Sequence, residues 1–283
     1  MLLTDADFTR LYTYVKANYG IDLSKKKQLI TSRLGNMLIQ NGYSDFTQYT
    51  DEIISGAHPE MVSVMLNRLT TNYTYFLREK EHFDFLKKTV LPELAERHAK
   101  DHSLSIWSAG CSSGEEPYTI SMYLKEFFDS RPGTWDTRIL ATDISPNVLS
   151  AARCPSYAPE ALAELPPEWQ RKYFVPTGNN RYTVSSALRQ NVIFRPFNLM
   201  DPIRFKRKFD LIFCRNVMIY FDRPTKEALV QRFFHATVPE GYLFIGHSEG
   251  LDKERCPYQY LHPAIYQKQM QKRRTGGEHP CQR

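Results

Sequence analysis

The 283-residue sequence has no run of 18 apolar residues, and this absence argues against a membrane-inserted protein. Its five cysteines are scattered, odd in number and without a CxxC pair, so a disulfide framework and a cysteine zinc site are both disfavoured. Free thiols are typical of a reducing compartment. The opening segment, MLLTDADF, has no basic stretch followed by an apolar one. We therefore expect a cytoplasmic protein without a metal site or membrane insertion.

The sequence also has little excess charge of either sign. It holds 37 Lys+Arg against 31 Asp+Glu, a net charge of +6, and half of this excess lies in residues 271–283. Nucleic-acid-binding domains usually carry a basic stripe across a folded face, so we expect no nucleic-acid partner. The composition of residues 271–283, QKRRTGGEHPCQR, predicts a flexible tail. The remaining chain is long and apolar enough to bury an ample core.

Residues 1–75 carry apolar side chains at helical spacing and predict an all-α N-terminal bundle of four helices. The boundary signals are, in chain order, a cap at Thr4, a stop at Gly20, caps at Ser24 and Ser44, and Pro59 at the start of the fourth helix.

From about residue 104, short apolar runs alternate with helical patterns, which is typical of an α/β domain with a parallel, doubly wound sheet. The predicted strands are 104–108, 138–142, 191–197, 209–214 and 242–246. Between the second and third, residues 171–184 predict a β-hairpin that turns at Gly178-Asn179-Asn180. We expect this α/β domain to span residues 76–270, with a small β-insert at about 168–195.

The first predicted strand runs into the turn SAGCSSGEEPY at residues 108–118, where glycines allow a ligand to approach the backbone closely. The turn matches neither G-x-G-x-x-G nor a P-loop. Glu115 and Glu116 would repel a pyrophosphate, so the pattern favours a ligand with a cationic group. The alternative is that both glutamates only complement the dipole of the following helix.

Asp143 follows the second predicted strand, in the position where doubly wound folds hold ribose hydroxyls. Taken alone, it could equally be the cap of the helix after Ser145-Pro146. Together with the glycine turn and the two glutamates, it favours a nucleoside ligand.

Several further stretches are specific enough to indicate a family. They are TTNYTYFLRE at 70–79, SAGCSSGEEPY, ATDIS at 141–145, Phe197-Asn198-Leu199, FDLIFCRNVMIYFD at 209–222, and GHSE at 246–249. In this order and spacing, over about residues 5–270, the chain resembles the CheR family of chemotaxis-receptor glutamate methyltransferases.

The resemblance implies a Rossmann-like class I methyltransferase fold and the cofactor S-adenosylmethionine, which becomes S-adenosylhomocysteine. The implied substrates are glutamate side chains on the signalling helices of chemoreceptor cytoplasmic domains, which become γ-carboxyl methyl esters. Residues 1–75 would help hold the receptor. The β-insert is a candidate site for a receptor C-terminal peptide.

The resemblance also implies residue roles. Asn72, Thr74 and Arg78 would reach into the cofactor cleft. Glu116 would bind the cofactor's amino group and Asp143 its ribose, while Asn198 and Leu199 would flank the adenine. Arg215 and Asn216 would line the other side of the cleft, and Tyr220 would lie near the transferred methyl. Arg78 and Tyr220 are the expected catalytic residues.

This chemistry fits the residue types. A glutamate carboxylate is ionised at pH 7, so it can attack a sulfonium methyl without a general base. Arg78 could orient that carboxylate through its fork of donors, although it could also be a surface arginine at a helix start. Tyr220 could instead be a packing residue with a satisfied hydroxyl.

Two rival functions are open at this point. An amino-directed nucleic-acid methyltransferase would show Asn/Asp-Pro-Pro-Tyr/Phe after the fourth strand, where this chain reads Cys-Arg-Asn-Val-Met. A non-catalytic cofactor-binding adaptor of receptors would keep the fold but perform no transfer.

Three weaker features complete the prediction. Lys26 and Arg33 fall on one stripe of the second helix, which is either a solvated face or a dock for an acidic receptor helix. His247 has no metal-ligand companion at suitable spacing in the sequence, so we interpret it as structural. Cys111 and Cys214 flank the predicted cleft and are expected to pack rather than react.

Overall fold

The computed structural model describes residues 1–270. It opens with four helices, α1 (Asp5–Tyr19), α2 (Lys27–Gln40), α3 (Phe46–Ser55) and α4 (Pro59–Leu69). As predicted, the Thr4 hydroxyl caps α1 by accepting the Asp7 N–H, and Gly20 ends it in the left-handed region at φ 73°. The apolar faces pack together, with Leu11, Ile30 and Phe46 fully buried. The N-terminal segment is therefore an all-α bundle.

Two of the predicted caps are wrong by a few residues. The Ser24 N–H and hydroxyl both bond to the Asp22 carboxylate, and α2 begins only at Lys27. At α3 the cap is Asp45, whose carboxylate accepts the Gln48 N–H at 2.9 Å, instead of its neighbour Ser44. Asp45 thus makes the capping bond expected of Ser44, whereas α2 has no side-chain cap and the Ser24 hydroxyl is bound to Asp22.

The remaining helices are α5 (Lys80–Phe85), α6 (Leu91–Arg97), α7 (Glu115–Phe128), α8 (Pro146–Arg153), α9 (Pro167–Tyr173), α10 (Ser186–Gln190) and α11 (Arg223–Ala236). A π-helical turn, Leu86–Val90, joins α5 to α6. The strands are β1 (Ile106–Ala109), β2 (Ile139–Asp143), β3 (Phe174–Gly178), β4 (Arg181–Val184), β5 (Val192–Pro196), β6 (Phe209–Cys214), β7 (Thr237–Ile245), β8 (Gln259–His262) and β9 (Ile265–Gln267).

Seven strands form the main sheet in the order β5-β2-β1-β6-β7-β9-β8. The first five are parallel, while β9 and β8 are antiparallel to their neighbours at one edge. In register, Ile106 of β1 stands between Ile139 of β2 and Leu211 of β6. Every residue of β1 and β6 is buried, which explains their continuous apolar runs. The predicted doubly wound α/β fold is confirmed, whereas β8 and β9 were not predicted.

The predicted hairpin exists as a separate two-stranded sheet of β3 and β4. Its turn uses positive φ angles at Gly178, Asn179 and Asn180, where glycine and asparagine are tolerated best. The hairpin starts at Phe174, because the residues before it form helix α9. Strand β5 begins inside the residue range expected for the insert, but it pairs with β2 in the main sheet.

Two sequence expectations concern the chain as a whole. None of the helices within residues 1–270 is long and apolar enough to cross a membrane. Cys111, Cys154, Cys214 and Cys256 are free thiols, and Cys281 lies outside the described residues together with the predicted tail 271–283.

Candidate active site

Three turns meet at one edge of the sheet because the carboxyl ends of the parallel strands β1, β2 and β6 point the same way. They enclose a cavity with about 1040 Å³ of empty space, part of it open to solvent. This is enough for a nucleoside-sized ligand. All ten residues predicted for the site line this cavity: Asn72, Thr74, Arg78, Glu116, Asp143, Asn198, Leu199, Arg215, Asn216 and Tyr220.

The turn after β1 needs its glycines. Gly110 has φ 86°, and a Cβ there would lie 2.3 Å from a methyl carbon of Val217, which is closer than any real contact. The N–H groups of Gly110 and Cys111 both donate to the Thr142 carbonyl at the end of β2. This turn therefore brings the backbone after β1 close to the segments that follow β2 and β6.

The two glutamates at the start of α7 make different contacts. The Glu115 carboxylate accepts the Ser113 hydroxyl at 2.8 Å, whereas the Glu116 side chain points into the cavity wall. There it accepts the Ser108 hydroxyl at 2.7 Å and an Arg215 N–H at 3.0 Å. Burial raises the pKa of the Glu116 carboxyl, and the Arg215 charge opposes that shift. Glu116 thus does more than complement the helix dipole.

Arg215 is the centre of a buried charge network. Its side chain is 2% exposed and makes ion pairs at 3.0 Å with both Glu116 and Glu79, and it also donates to the Arg78 carbonyl. Burial pushes the pKa of Glu79 upward, but the Arg215 charge and several hydrogen bonds outweigh it, so the net shift is downward. The guanidinium therefore holds two carboxylates, of which Glu116 lines the cavity.

Asp143 stands at the tip of β2. One carboxylate oxygen accepts the Ser112 N–H at 2.9 Å and the other accepts the Ser145 N–H at 3.0 Å. The cap of α8 is Ser145, whose hydroxyl accepts the Val148 N–H, so the interpretation of Asp143 as that cap is wrong. Burial raises the pKa of the Asp143 carboxyl.

The opposite wall includes residues 70–75 and Arg78, in the segment before α5. The Tyr220 hydroxyl accepts the Thr71 N–H at 2.9 Å and donates to the Thr71 carbonyl at 3.1 Å, so it is satisfied by backbone while its ring lines the cavity. Arg78 donates to the Tyr73 carbonyl at 2.6 Å. Within residues 1–270 the Arg78 guanidinium makes no ion pair. It is therefore available to an anionic ligand.

Asn198 and Leu199, which the resemblance places beside the adenine, lie next to the helical bundle. The Asn198 amide donates to the Asn18 carbonyl at 2.8 Å and its oxygen accepts the Met200 N–H at 3.0 Å. Leu199 is 8% exposed, and Tyr19 and Ile21 of the bundle line the same cavity. The sequence did not predict that the N-terminal bundle contributes to the cleft wall.

Two buried carboxylates near the site were also missed. Glu79 has φ 55°, and its carboxylate bonds to Arg215, Asn216 and the His247 N–H. Glu249, 2% exposed, accepts the N–H groups of Asn216, Gly246 and Ile219. Both glutamates lie inside motifs that carry the family resemblance. Nothing in their sequence spacing indicated an acid–base or metal-binding role.

His247 is not as isolated as the sequence predicted. It lies next to Glu79 and the buried His82, and potential ligand atoms of all three fall within 4.8 Å of one another. The companions come from α5 and the residue before it, far away in sequence. Burial lowers the pKa of His82 to about 3, and the nearby Arg215 charge adds to that effect. Within this trio, the Glu79 carboxylate already accepts hydrogen bonds from Arg215 and Asn216.

The basic stripe of α2 differs from the prediction. Arg33 is half-buried and donates to the Arg68 and Thr70 carbonyls at the end of α4. Lys27 pairs with Asp5, while Lys25 and Lys26 are exposed. Cys111 and Cys214 are buried as expected, and burial raises the pKa of both thiols.

A parallel sheet with a glycine turn after β1 and a carboxylate at the tip of β2 defines the class of α/β proteins that bind nucleoside ligands. Comparison with known proteins identifies the family. Residues 6–70 match the model for the CheR methyltransferase all-alpha domain, and residues 72–265 match the model for the CheR methyltransferase SAM binding domain. The chain therefore belongs to the CheR methyltransferase family, and its cofactor is S-adenosylmethionine.

Curated relatives agree over almost the whole chain. The chemotaxis protein methyltransferase of Borreliella burgdorferi is 42% identical over 270 residues, which cover 94% of this chain and 95% of that protein. Chemotaxis protein methyltransferase 1 of Pseudomonas aeruginosa is 38% identical over 92% of this chain and 96% of its own length. The Escherichia coli chemotaxis protein methyltransferase is 37% identical over 88% and 86%. The chain is accordingly an S-adenosylmethionine-dependent methyltransferase of chemotaxis, and the non-catalytic adaptor is not favoured.

Proposed function

We propose that the protein methylates glutamate side chains on the signalling helices of chemoreceptor cytoplasmic domains, producing γ-glutamyl methyl esters. One observation carries this choice of substrate. The Arg78 guanidinium lines the cofactor cavity without an ion-pair partner within residues 1–270, so it can bind an incoming carboxylate through two N–H donors.

The cavity residues fit the cofactor by charge. Two carboxylates, Glu79 and Glu116, share the single buried guanidinium of Arg215. This buried cluster carries one excess negative charge, and Glu116, which lines the cavity, presents it to a ligand with an ammonium group. Glu116 would hold that group, Asp143 the ribose hydroxyls, and Asn198 with Leu199 the adenine. Asn72, Thr74 and Asn216 complete the walls.

The reaction asks little proton chemistry of the protein. When bound, S-adenosylmethionine supplies an electrophilic methyl, whose bond to sulfur breaks as its bond to the carboxylate oxygen forms, leaving S-adenosylhomocysteine. A glutamate carboxylate is already ionised at pH 7, so no side chain has to remove a proton. The tasks left for the chain are to orient the carboxylate through Arg78, to position the Tyr220 ring beside it, and to exclude water.

The proposed division of labour follows the two parts of the chain. Residues 1–75 would dock the receptor and residues 76–270 would carry the reaction, in the cytoplasm. The hairpin of β3 and β4 remains a candidate site for a receptor C-terminal peptide. Lys25 and Lys26 are exposed cations just before α2 that could meet an acidic receptor helix.

The test is incubation of the full-length protein with a labelled methyl donor and purified receptor cytoplasmic domains, with mass spectrometry to locate base-labile esters. Arg78→Ala should lower kcat/KM for receptor about 10- to 100-fold, because a charge-assisted hydrogen bond to the substrate is lost. Its affinity for S-adenosylhomocysteine should change by less than about threefold.

Arg204→Ala is the matched control, because Arg204 is an exposed arginine outside the cavity lining. Equal losses of methyl transfer and of cofactor affinity in Arg78→Ala would reassign Arg78 to the cofactor pocket. Label found on residues other than glutamate would refute the proposed substrate.

A further inference from the structure

Two tyrosines at the mouth of the cavity have no role in the reaction proposed above. Tyr73 is 68% exposed and Tyr75 is 38% exposed, although both line the same cavity as Arg78. Aromatic side chains gain free energy by covering their ring faces, and exposed apolar surface beside a cleft marks a contact surface. We call Tyr73 and Tyr75 the aromatic rim.

The backbone beneath the aromatic rim is fixed although residues 71–75 form no regular secondary structure. The Thr71 backbone exchanges two hydrogen bonds with the Tyr220 hydroxyl. The Tyr73 carbonyl accepts an N–H of Arg78 at 2.6 Å. The two rings therefore project from a held segment, and their placement is coupled to the arginine expected to bind substrate.

The rim and Arg78 form one composite surface. The two ring centroids are 5.6 Å apart with an interplanar angle of 46°, and the Arg78 guanidinium carbon lies 5.9 Å from the Tyr75 centroid. An acidic group that reaches Arg78 therefore brings its neighbouring side chains against aromatic faces. A strongly charged neighbour would be desolvated there without a partner, whereas a small or aliphatic one would pack.

The spacing matches an α-helix. Side chains three or four residues apart on a helix have Cβ atoms roughly 5–6 Å apart. The Arg78 guanidinium carbon lies at a similar distance, 5.9 Å, from the Tyr75 ring centroid. We infer that the aromatic rim binds the receptor helix that carries the acceptor glutamate. The acceptor carboxylate meets Arg78, and a small or aliphatic side chain three or four residues away on the same helix packs on Tyr73 and Tyr75. This inference rests on the proposed function and adds the specificity of its substrate site.

The test compares the full-length wild-type protein with Tyr73→Ser/Tyr75→Ser on a receptor cytoplasmic domain that the wild type labels. The double variant should raise KM for receptor about tenfold, since two aromatic contacts are lost. Its kcat and its affinity for S-adenosylhomocysteine should stay within about twofold of wild type. Tyr73→Phe/Tyr75→Phe should restore KM, because the ring faces and not the hydroxyls make the contact.

The matched control is Tyr260→Ser, which removes a tyrosine 49% exposed on the edge strand β8 and should change none of these values. An unchanged KM in the double serine variant would overturn the inference. So would a loss of cofactor affinity as large as the change in KM, which would assign the rings to the cofactor. If the wild type labels no receptor domain, both the proposed function and this inference are wrong. If the wild type labels the receptor and the double serine variant has the same KM, only this inference is wrong.

Discussion

At the scale of single residues, Asp143 makes structural hydrogen bonds and is also the residue proposed to bind the ribose. Its two oxygens accept one backbone N–H each, from Ser112 and Ser145, and a carboxylate has further lone pairs to offer. Those N–H bonds fix the carboxylate at the tip of β2, facing the cavity. A ribose hydroxyl pair could then bind without any reorganisation of the side chain.

Asp143→Ala should therefore weaken binding of S-adenosylhomocysteine by roughly 1–3 kcal/mol, because the buried hydroxyls lose their acceptor. Calorimetry on the purified protein measures this change, and Asp201→Ala, which removes an exposed carboxylate after β5, is the control. Since burial raises the pKa of Asp143, affinity should fall on acidification at a higher pH than the ordinary aspartate value of about 3.9. Unchanged affinity in a folded Asp143→Ala variant would remove this residue from the site.

The same scale shows what sequence patterns could predict of the site. All ten expected residues line one cavity, because the motifs follow strands whose ends a parallel sheet brings together. The pattern did not show that Arg215 points away from solvent into Glu79 and Glu116, 136 and 99 residues away along the chain. Such pairings depend on how the turns pack, and local spacing carries no information about them.

At the scale of elements, the turn after β6 depends on Glu249. This buried carboxylate accepts the N–H groups of Asn216 and Gly246 on one oxygen and that of Ile219 on the other. Asn216 has φ 59°, a left-handed conformation that asparagine tolerates better than most residues. The carboxylate thus holds the tight turn that carries Asn216 and Tyr220 into the cavity wall.

Glu249→Gln should lower the free energy of unfolding by about 1–3 kcal/mol, because in either orientation the amide nitrogen faces at least one buried N–H and leaves it without an acceptor. Urea denaturation measures the change. Glu254→Gln alters an exposed carboxylate in the same loop and should be neutral. If the two variants are equally stable, Glu249 does not hold the turn.

Elements were predicted unequally well for a physical reason. The fully buried strands β1 and β6 stand out as apolar runs, because helices cover both faces of a parallel sheet. Strand β8 has four exposed residues in its four positions, so no apolar run or alternation marks it. It exists because β9 offers an antiparallel edge, and that pairing is visible only after the sheet has formed.

At the scale of the whole molecule, the helical bundle is joined directly to the cofactor cleft. Lys16 pairs with Asp222 at 2.6 Å, and the Asp22 N–H donates to the Tyr220 carbonyl at 2.8 Å. Ile21 forms a bridge with Phe221 and also lines the cavity. A receptor helix bound to the bundle would consequently contact a domain that itself contacts Tyr220 and the cofactor cleft.

Charge on the bundle should act on receptor encounter rather than on the cofactor. The first 76 residues carry seven basic and seven acidic side chains, so any steering has to come from local segregation. Arg33 cannot take part freely, since it caps the end of α4, and Lys27 is paired with Asp5. Lys25 and Lys26 are an exposed pair immediately before α2.

Lys25→Glu/Lys26→Glu should raise KM for receptor several-fold at low salt while leaving cofactor affinity unchanged, and the effect should shrink near 0.1 M salt, where the Debye length is about 10 Å. Initial rates against receptor concentration at two ionic strengths measure this. Lys87→Glu/Lys88→Glu, an equal charge change on an exposed lysine pair of the other domain, is the control. Should the α2 variant keep wild-type kinetics at low salt, these lysines form a solvated face. Receptor docking would then have to come from the hairpin or from the mouth of the cleft, where exposed apolar and aromatic side chains, rather than charge, offer the contact.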